Sequence, residues 1–257
     1  MTRATLSLIT LLALAGCDGE APDPATDAGD EPVDATTPDG VDAGPHPTDA
    51  GPPADPGRFT MDALGYLGAF RVSSAEHGDS NVNYAVGTLG YNPVARSLFI
   101  AGHAQHNAIA EFAIPDALGE GDVVEDLPLV EAPLQDFHRL LGRSANGNPD
   151  AMDRVTGLYW ADGHLVVQAN RWYDAAGTAA DTTLLVVDGR LDGTVVGYFE
   201  LEGRARSAGF ISPIPAEWPD RLGGSALAGW APNYSIIRRH SVGPTPFALD
   251  PGDPPHH

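Results

Sequence analysis

Two stretches of this chain repeat one succession of short apolar runs and tight turns, and that repeat limits the folds open to it. The first, Val86 to Pro115, reads VGTLGYNPVARSLFIAGHAQHNAIAEFAIP. Val86 to Tyr91 predicts a strand, and Asn92 with Pro93 a turn in which proline presets φ. Ser97 to Gly102 predicts a second strand, whose unbroken run Leu98-Phe99-Ile100-Ala101 is expected where both faces are covered. Ala108 to Ile114 predicts a third, closed by Pro115. The pattern returns at Val155 to Ala161, where Asp162-Gly163 is a strong hairpin signal, and His164 to Asn170 follows. Thr182 to Val187 and Thr194 to Leu201 predict two further strands on either side of the Asp-Gly turns within Asp188 to Gly193. Pairing Leu89 with Leu158 and Leu98 with Leu165 sets the two units 67 to 69 residues apart.

Leu64 to Val72 adds an opening strand, and Leu134 to Gly142 is expected to form one or two helical turns. Short strands in hairpin order with buried central runs predict an all-β domain of propeller-like repeats. The alternative is a β-sandwich of about seven strands. A spacing of this size leaves room for about three units in the foldable part, fewer than the four blades of the smallest propellers. The alternative to a complete domain is then one that ends within a blade at Phe247 to Asp250. In that case the chain is a fragment of a longer protein, with PGDPPHH as its tail.

The foldable part is shorter than the 257 residues suggest. From Asp18 to Gly57 there is no Lys, Arg or aromatic residue, and only two Val stand among Asp, Pro, Ala, Thr and Gly. Such a segment buries too little apolar surface to offset the entropy of ordering it. Residues 17–57 therefore read as an acidic, disordered tether, stiffened by spaced prolines and extended by like charges. Residues 58–257 read as the folded domain, about 200 residues and enough for one core.

The net charge is −21, and eleven of the 35 acidic residues lie in the tether. A chain of this sign is repelled by phosphate backbones and carries no basic stripe, which excludes nucleic acid as an expected partner. Cys17 is the only cysteine, so no intramolecular disulfide forms.

Residues 1–16 have the form of a signal peptide: Arg3 supplies the positive end and Leu6 to Ala15 a short apolar run. That run is too short for a membrane-spanning helix of about 20 residues. It ends in Leu14-Ala15-Gly16-Cys17, which closely resembles the lipobox of bacterial lipoproteins. The resemblance implies cleavage after Gly16 and a lipidated Cys17 as the mature N-terminus. The chain is then expected to be anchored to a bacterial cell-envelope membrane through that lipid, facing the periplasm or the cell exterior. Two or three acyl chains suffice for stable anchoring.

The segments LGYNPVARSLFIAGH, SPIPAEWPDRLGGSALAG and YSIIRRHSVGPTPFALDP resemble parts of uncharacterised secreted bacterial proteins with propeller-like repeats. The resemblance covers most of Phe59 to Asp250 and brings no catalytic motif with it.

Two groups of residues are candidates for chemistry. His103, His106 and Glu111 carry side chains that bind divalent metals, although a turn followed by a strand does not gather them as a helical H-E-x-x-H motif would. Asn170, Arg171, Trp172, Tyr173 and Asp174 form the densest polar and aromatic cluster, placed just after a buried strand. A stacking ring beside Arg and Asp suits a carbohydrate or peptide. Asp136 and His138 could pair as base and orienter, but no G-x-S-x-G elbow supplies a nucleophile, and no phosphate or dinucleotide loop is present. The expectation is a binding or scaffold module rather than an enzyme, with its cofactor unidentified. The alternative is a propeller-type hydrolase or lactonase dependent on a divalent metal in a central channel.

Overall fold

A computed structural model of the protein describes residues 65–174, 176–230 and 246–252. Residues 1–16, read above as a signal peptide, Cys17, the acidic tract to Gly57 and the segment 231–245 lie outside the described residues. In chain order the strands are β1 Arg71–Val72, β2 Leu89–Asn92, β3 Ser97–Ala101, β4 Ala108–Ala113, β5 Leu129–Val130 and β6 Gln135–Arg139. They continue as β7 Arg154–Ala161, β8 His164–Asn170, β9 Asp181–Val186 and β10 Val195–Glu200. The last three are β11 Ile211–Pro213, β12 Ala226–Gly229 and β13 Pro246–Leu249. Among the described residues the only α-helix is the single turn Pro219–Leu222, so the fold is all-β.

Four sheets result. β2-β3-β4-β6 and β7-β8-β9-β10 are four-stranded, β11-β12-β13 is three-stranded, and β1 pairs with β5. All pairings are antiparallel except the short parallel β1–β5 pair. The two four-stranded sheets are the two repeats of the sequence, with β2 and β3 standing where β7 and β8 stand. Their turns follow local chemistry. Asn92 Oδ1 accepts the N–H groups of Val94 and Ala95 at 3.0 and 3.2 Å, closing the β2–β3 turn. Asp162 and Gly163 take φ of 48° and 85°, the left-handed pair that a two-residue hairpin loop demands.

The apolar runs are continuous because alternate side chains go to different cores. In β3, Phe99 and Ala101 join Leu158, Leu165, Val167, Leu184 and Val186 of the second sheet. Ile100 points the other way, with Phe112 and Phe137, against Val72 of β1 and Val130 of β5. In the second sheet Val166 and Leu185 face Ile211, Ala226, Ala228 and Leu249 of the third. The second sheet is thus covered on both faces, the condition under which period-two alternation disappears. Each fully buried Leu, Phe or Val contributes about 1.5–3 kcal/mol.

Three expectations need correction. Leu134 to Gly142 is not helical: Gln135 to Arg139 is strand β6, pairing His138 with Ile109 and Gln135 with Glu111. The buried residues of LQDFHRLLG are Phe137, Leu140 and Leu141, the i, i+3, i+4 spacing of a helical face, which is why the sequence alone reads as helical. Of the expected opening strand, only Arg71–Val72 is a strand among the described residues, and β2 begins at Leu89 rather than Val86. Four separate sheets also differ from the two of the alternative sandwich.

Candidate ligand cavity

The first strands of the three larger sheets, β2, β7 and β11, approach one another closely because glycines stand at the contacts. A Cβ on Gly90 would lie 2.8 Å from that of Leu158, and one on Gly157 would lie 3.0 Å from the carbonyl oxygen of Gly209. Thr156 Oγ1 donates to the carbonyl of Ala208 at 2.6 Å, a polar tie between β7 and the segment leading into β11.

Where the strands diverge, they border a cavity of about 740 Å³. Leu89, Val155, Leu158, Phe210 and Ile211 give it an apolar wall, and the turn after β3 supplies His103, Gln105 and Asn107. Arg154, Asn170 and Trp172 stand beside them, at the start of β7 and just after β8, and Trp230 completes the lining. A largely apolar cleft with a few convergent polar groups is the usual form of a small-ligand site.

The polar groups are unevenly satisfied. The guanidinium of Arg154 lies 5.3 Å from the centre of the Trp172 ring, a cation–π distance. Its Nη1 donates to the carbonyl of Asp153 at 2.5 Å and lies 3.7 Å from the carboxylate of the same residue. That carboxylate accepts the backbone N–H of Trp172 at 2.7 Å, fixing the Trp172 backbone. The indole N–H of Trp230 and the amide oxygen of Asn107 are both buried without a hydrogen-bond partner among the described residues.

Of the cluster from Asn170 to Asp174, the structure brings Asn170 and Trp172 to the cavity and gives the others different work. Asp174 is fully buried and accepts from Arg171 at 2.5 Å, Thr178 N at 3.2 Å and Ala179 N at 3.0 Å, so it organises the loop. Burial by itself would raise its pKa, but the Ala179 N–H, the Arg171 guanidinium and the Thr178 N–H together hold it below the ordinary carboxylate value. Tyr173 is largely exposed and does not line the cavity.

The structure does not bring His103, His106 and Glu111 together. The two histidine rings stack at 4.3 Å, His106 Nδ1 meets Ser80 Oγ at 3.0 Å, and only His103 lines the cavity. His103 Nδ1 accepts the N–H of Gln105 at 3.2 Å. Glu111 is buried within the first sheet, where it accepts from Asn92 at 3.1 Å, from Gln135 at 2.6 Å and from Ser97. Among the described residues no three His, Cys, Asp or Glu side chains are grouped as a metal would need. Asp136 and His138 are alternate residues of β6 and so lie on one face of the strand, but neither lines the cavity.

Sequence reasoning missed Arg154, Asn107, Phe210 and the cavity role of Trp230. None belongs to a motif, and only the meeting of three first strands collects them. The one available signal was the equivalence of the runs that begin β2 and β7. Family models, curated proteins and solved structures contain no match to this chain.

Proposed function

We propose that this chain is a lipid-anchored protein of the bacterial cell envelope whose all-β domain is a propeller-like binding module. The observation that carries the reading is the cavity bordered by the first strands of three successive antiparallel sheets. Sheets stacked face to face with their first strands turned to a common space are the arrangement of propeller blades around a channel. The sequence Leu14-Ala15-Gly16-Cys17 supports the anchor, and the acidic tract after it supports a tether that holds the domain away from the membrane. The ligand classes that suit stacking rings beside Arg and Asn are carbohydrates and peptides. The reading makes no use of a metal or a nucleophile.

Thermal unfolding of the full chain against a panel of short peptides and oligosaccharides tests the binding function. Ala104 also lines the cavity, and a saturable rise in Tm that disappears in Ala104→Trp, where a large ring fills the cavity, is the expected result. Indifference of Tm to every member of the panel, or a rise that persists in Ala104→Trp, would remove the cavity from the function.

A further inference from the structure

The cavity stands out by charge. The chain carries a net charge of −21, and 24 acidic residues fall between Arg58 and His257, yet among the described residues no Asp or Glu lines the cavity. Among the described residues the one permanently charged side chain on its wall is Arg154, whose guanidinium stays protonated at any physiological pH. Beside it stand Trp172, Phe210 and Trp230, and the Trp230 indole N–H is a buried donor with no acceptor among the described residues. A buried donor left unpaired costs about 1–3 kcal/mol, a cost that an arriving acceptor removes.

We infer that the ligand of this cavity is an organic anion, a carboxylate carried on an apolar aromatic body, with Arg154 and the Trp230 N–H as its receptors. The inference rests on the cavity being a binding site. The chemistry selects the sign. A cationic ligand would meet a guanidinium and find no carboxylate on the wall to neutralise it. A neutral sugar would leave the Arg154 charge unused and spread hydroxyls over Leu89, Val155, Leu158 and Ile211, which offer no hydrogen bonds from their side chains. A carboxylate accepts from both the guanidinium and the indole, and its aromatic body covers the apolar wall. Asp153 does not cancel the site. Its carboxylate is spent on the Trp172 N–H at 2.7 Å and stands 3.7 Å from the nearest Arg154 nitrogen, longer than a charge-assisted hydrogen bond. The acidic exterior repels anions at long range, so recognition depends on the aromatic body and short-range donors more than on steering.

A matched series isolates the sign. N-acetylphenylalanine, N-acetylphenylalaninamide and phenylalaninamide share one ring and carry a negative, a neutral and a positive group. Glucuronate supplies a carboxylate without the ring. Calorimetric titration of the full chain is expected to give binding of N-acetylphenylalanine tighter than its amide by about tenfold or more, with phenylalaninamide weakest. Arg154→Gln should bring acid and amide within about twofold, and Arg154→Lys should restore part of the preference. Trp230→Phe keeps a ring and removes the donor, and should weaken the acid more than the amide. It is the working variant if Arg154→Gln lowers Tm enough to obscure binding. Equal affinity for acid and amide, both lost in Ala104→Trp, would overturn the anion and leave the cavity reading standing. Glucuronate binding more tightly than N-acetylphenylalanine would overturn the aromatic body. Absence of saturable binding by all four at millimolar concentration would overturn the inference together with the cavity reading.

Discussion

Gly90 and Leu158 meet at the contact between the first two sheets with no room for one added carbon: a Cβ on the glycine would lie 2.8 Å from that of the leucine and 3.1 Å from the leucine carbonyl group. Leu158 is itself buried, so neither side of the contact gives way. Gly90→Ala is therefore expected to destabilise the domain by about 1–3 kcal/mol. Gly142, where a Cβ meets nothing within 4 Å, is the control. Gly142→Ala should change stability by less than about 0.5 kcal/mol. Urea unfolding of both variants decides it, and equal stabilities would show that the sheets separate freely at Gly90.

Glu111 is the acceptor for three side chains, those of Asn92, Ser97 and Gln135, and Gln135 in turn donates to the Gly189 carbonyl at 2.9 Å and accepts from Leu191 N at 2.9 Å. The carboxylate thus ties β2, β3 and β6 together and, through Gln135, reaches the turn after β9. Glu111→Ala strands three donors, each costing about 1–3 kcal/mol if left buried and unpaired. A large fall in Tm is expected, of the same size with calcium and with a chelator present. A loss confined to the calcium-loaded protein would return Glu111 to a metal site.

Two aspartates pull the pH dependence in opposite directions. Asp174 is held below its ordinary value of 3.8. Since its folded pKa lies below the unfolded one, its stabilisation is complete above the unfolded value and is lost as pH falls through the folded one. Asp181 is raised above 3.8, by burial first and then by the negative charges of Asp150 and Glu200. Its folded pKa lies above the unfolded one, so it weakens the fold at neutral pH, and that penalty is relieved as pH falls through the folded value. Asp174→Asn should lower Tm at neutral pH and flatten the acid limb of the curve. Asp181→Asn should raise Tm at neutral pH and steepen the acid limb. Tm curves from neutral to strongly acidic pH test both signs.

The proposed anchor depends on a single thiol. Cys17→Ser is expected to move the protein from the membrane fraction to the soluble fraction of the envelope, because one leader without acyl chains supplies no stable attachment. Retention of the variant in the membrane at the wild-type level would end the lipoprotein reading without touching the domain.

The strands of the two repeats were legible because local chemistry placed them: Asn92-Pro93 and Asp162-Gly163 mark turns, and Leu98 to Ala101 and Leu165 to Val167 are runs that need cover on both faces. Leu134 to Gly142 was misread because β6 is held by pairing with β4, a partner more than twenty residues away. The cluster from Asn170 to Asp174 was noticed for its composition, but composition does not separate Trp172, which lines the cavity, from Asp174, which is consumed by its own loop. The pair His103 and His106 drew notice for the same reason, yet Glu111 leaves them for a buried network in the sheet.

The sequence by itself determined the all-β class, the spacing of the repeats and the positions of the turns, since these follow from periodicity and from the φ preferences of Gly, Asn, Asp and Pro. Only the tertiary structure decided that β2, β7 and β11 converge, that Gly90 and Gly157 permit it, and that Arg154 and Trp230 share one cavity. Those residues are 76 positions apart in the chain, and no local preference joins groups at that distance. Packing of whole sheets does, by burying the faces that the repeated apolar runs leave in need of cover.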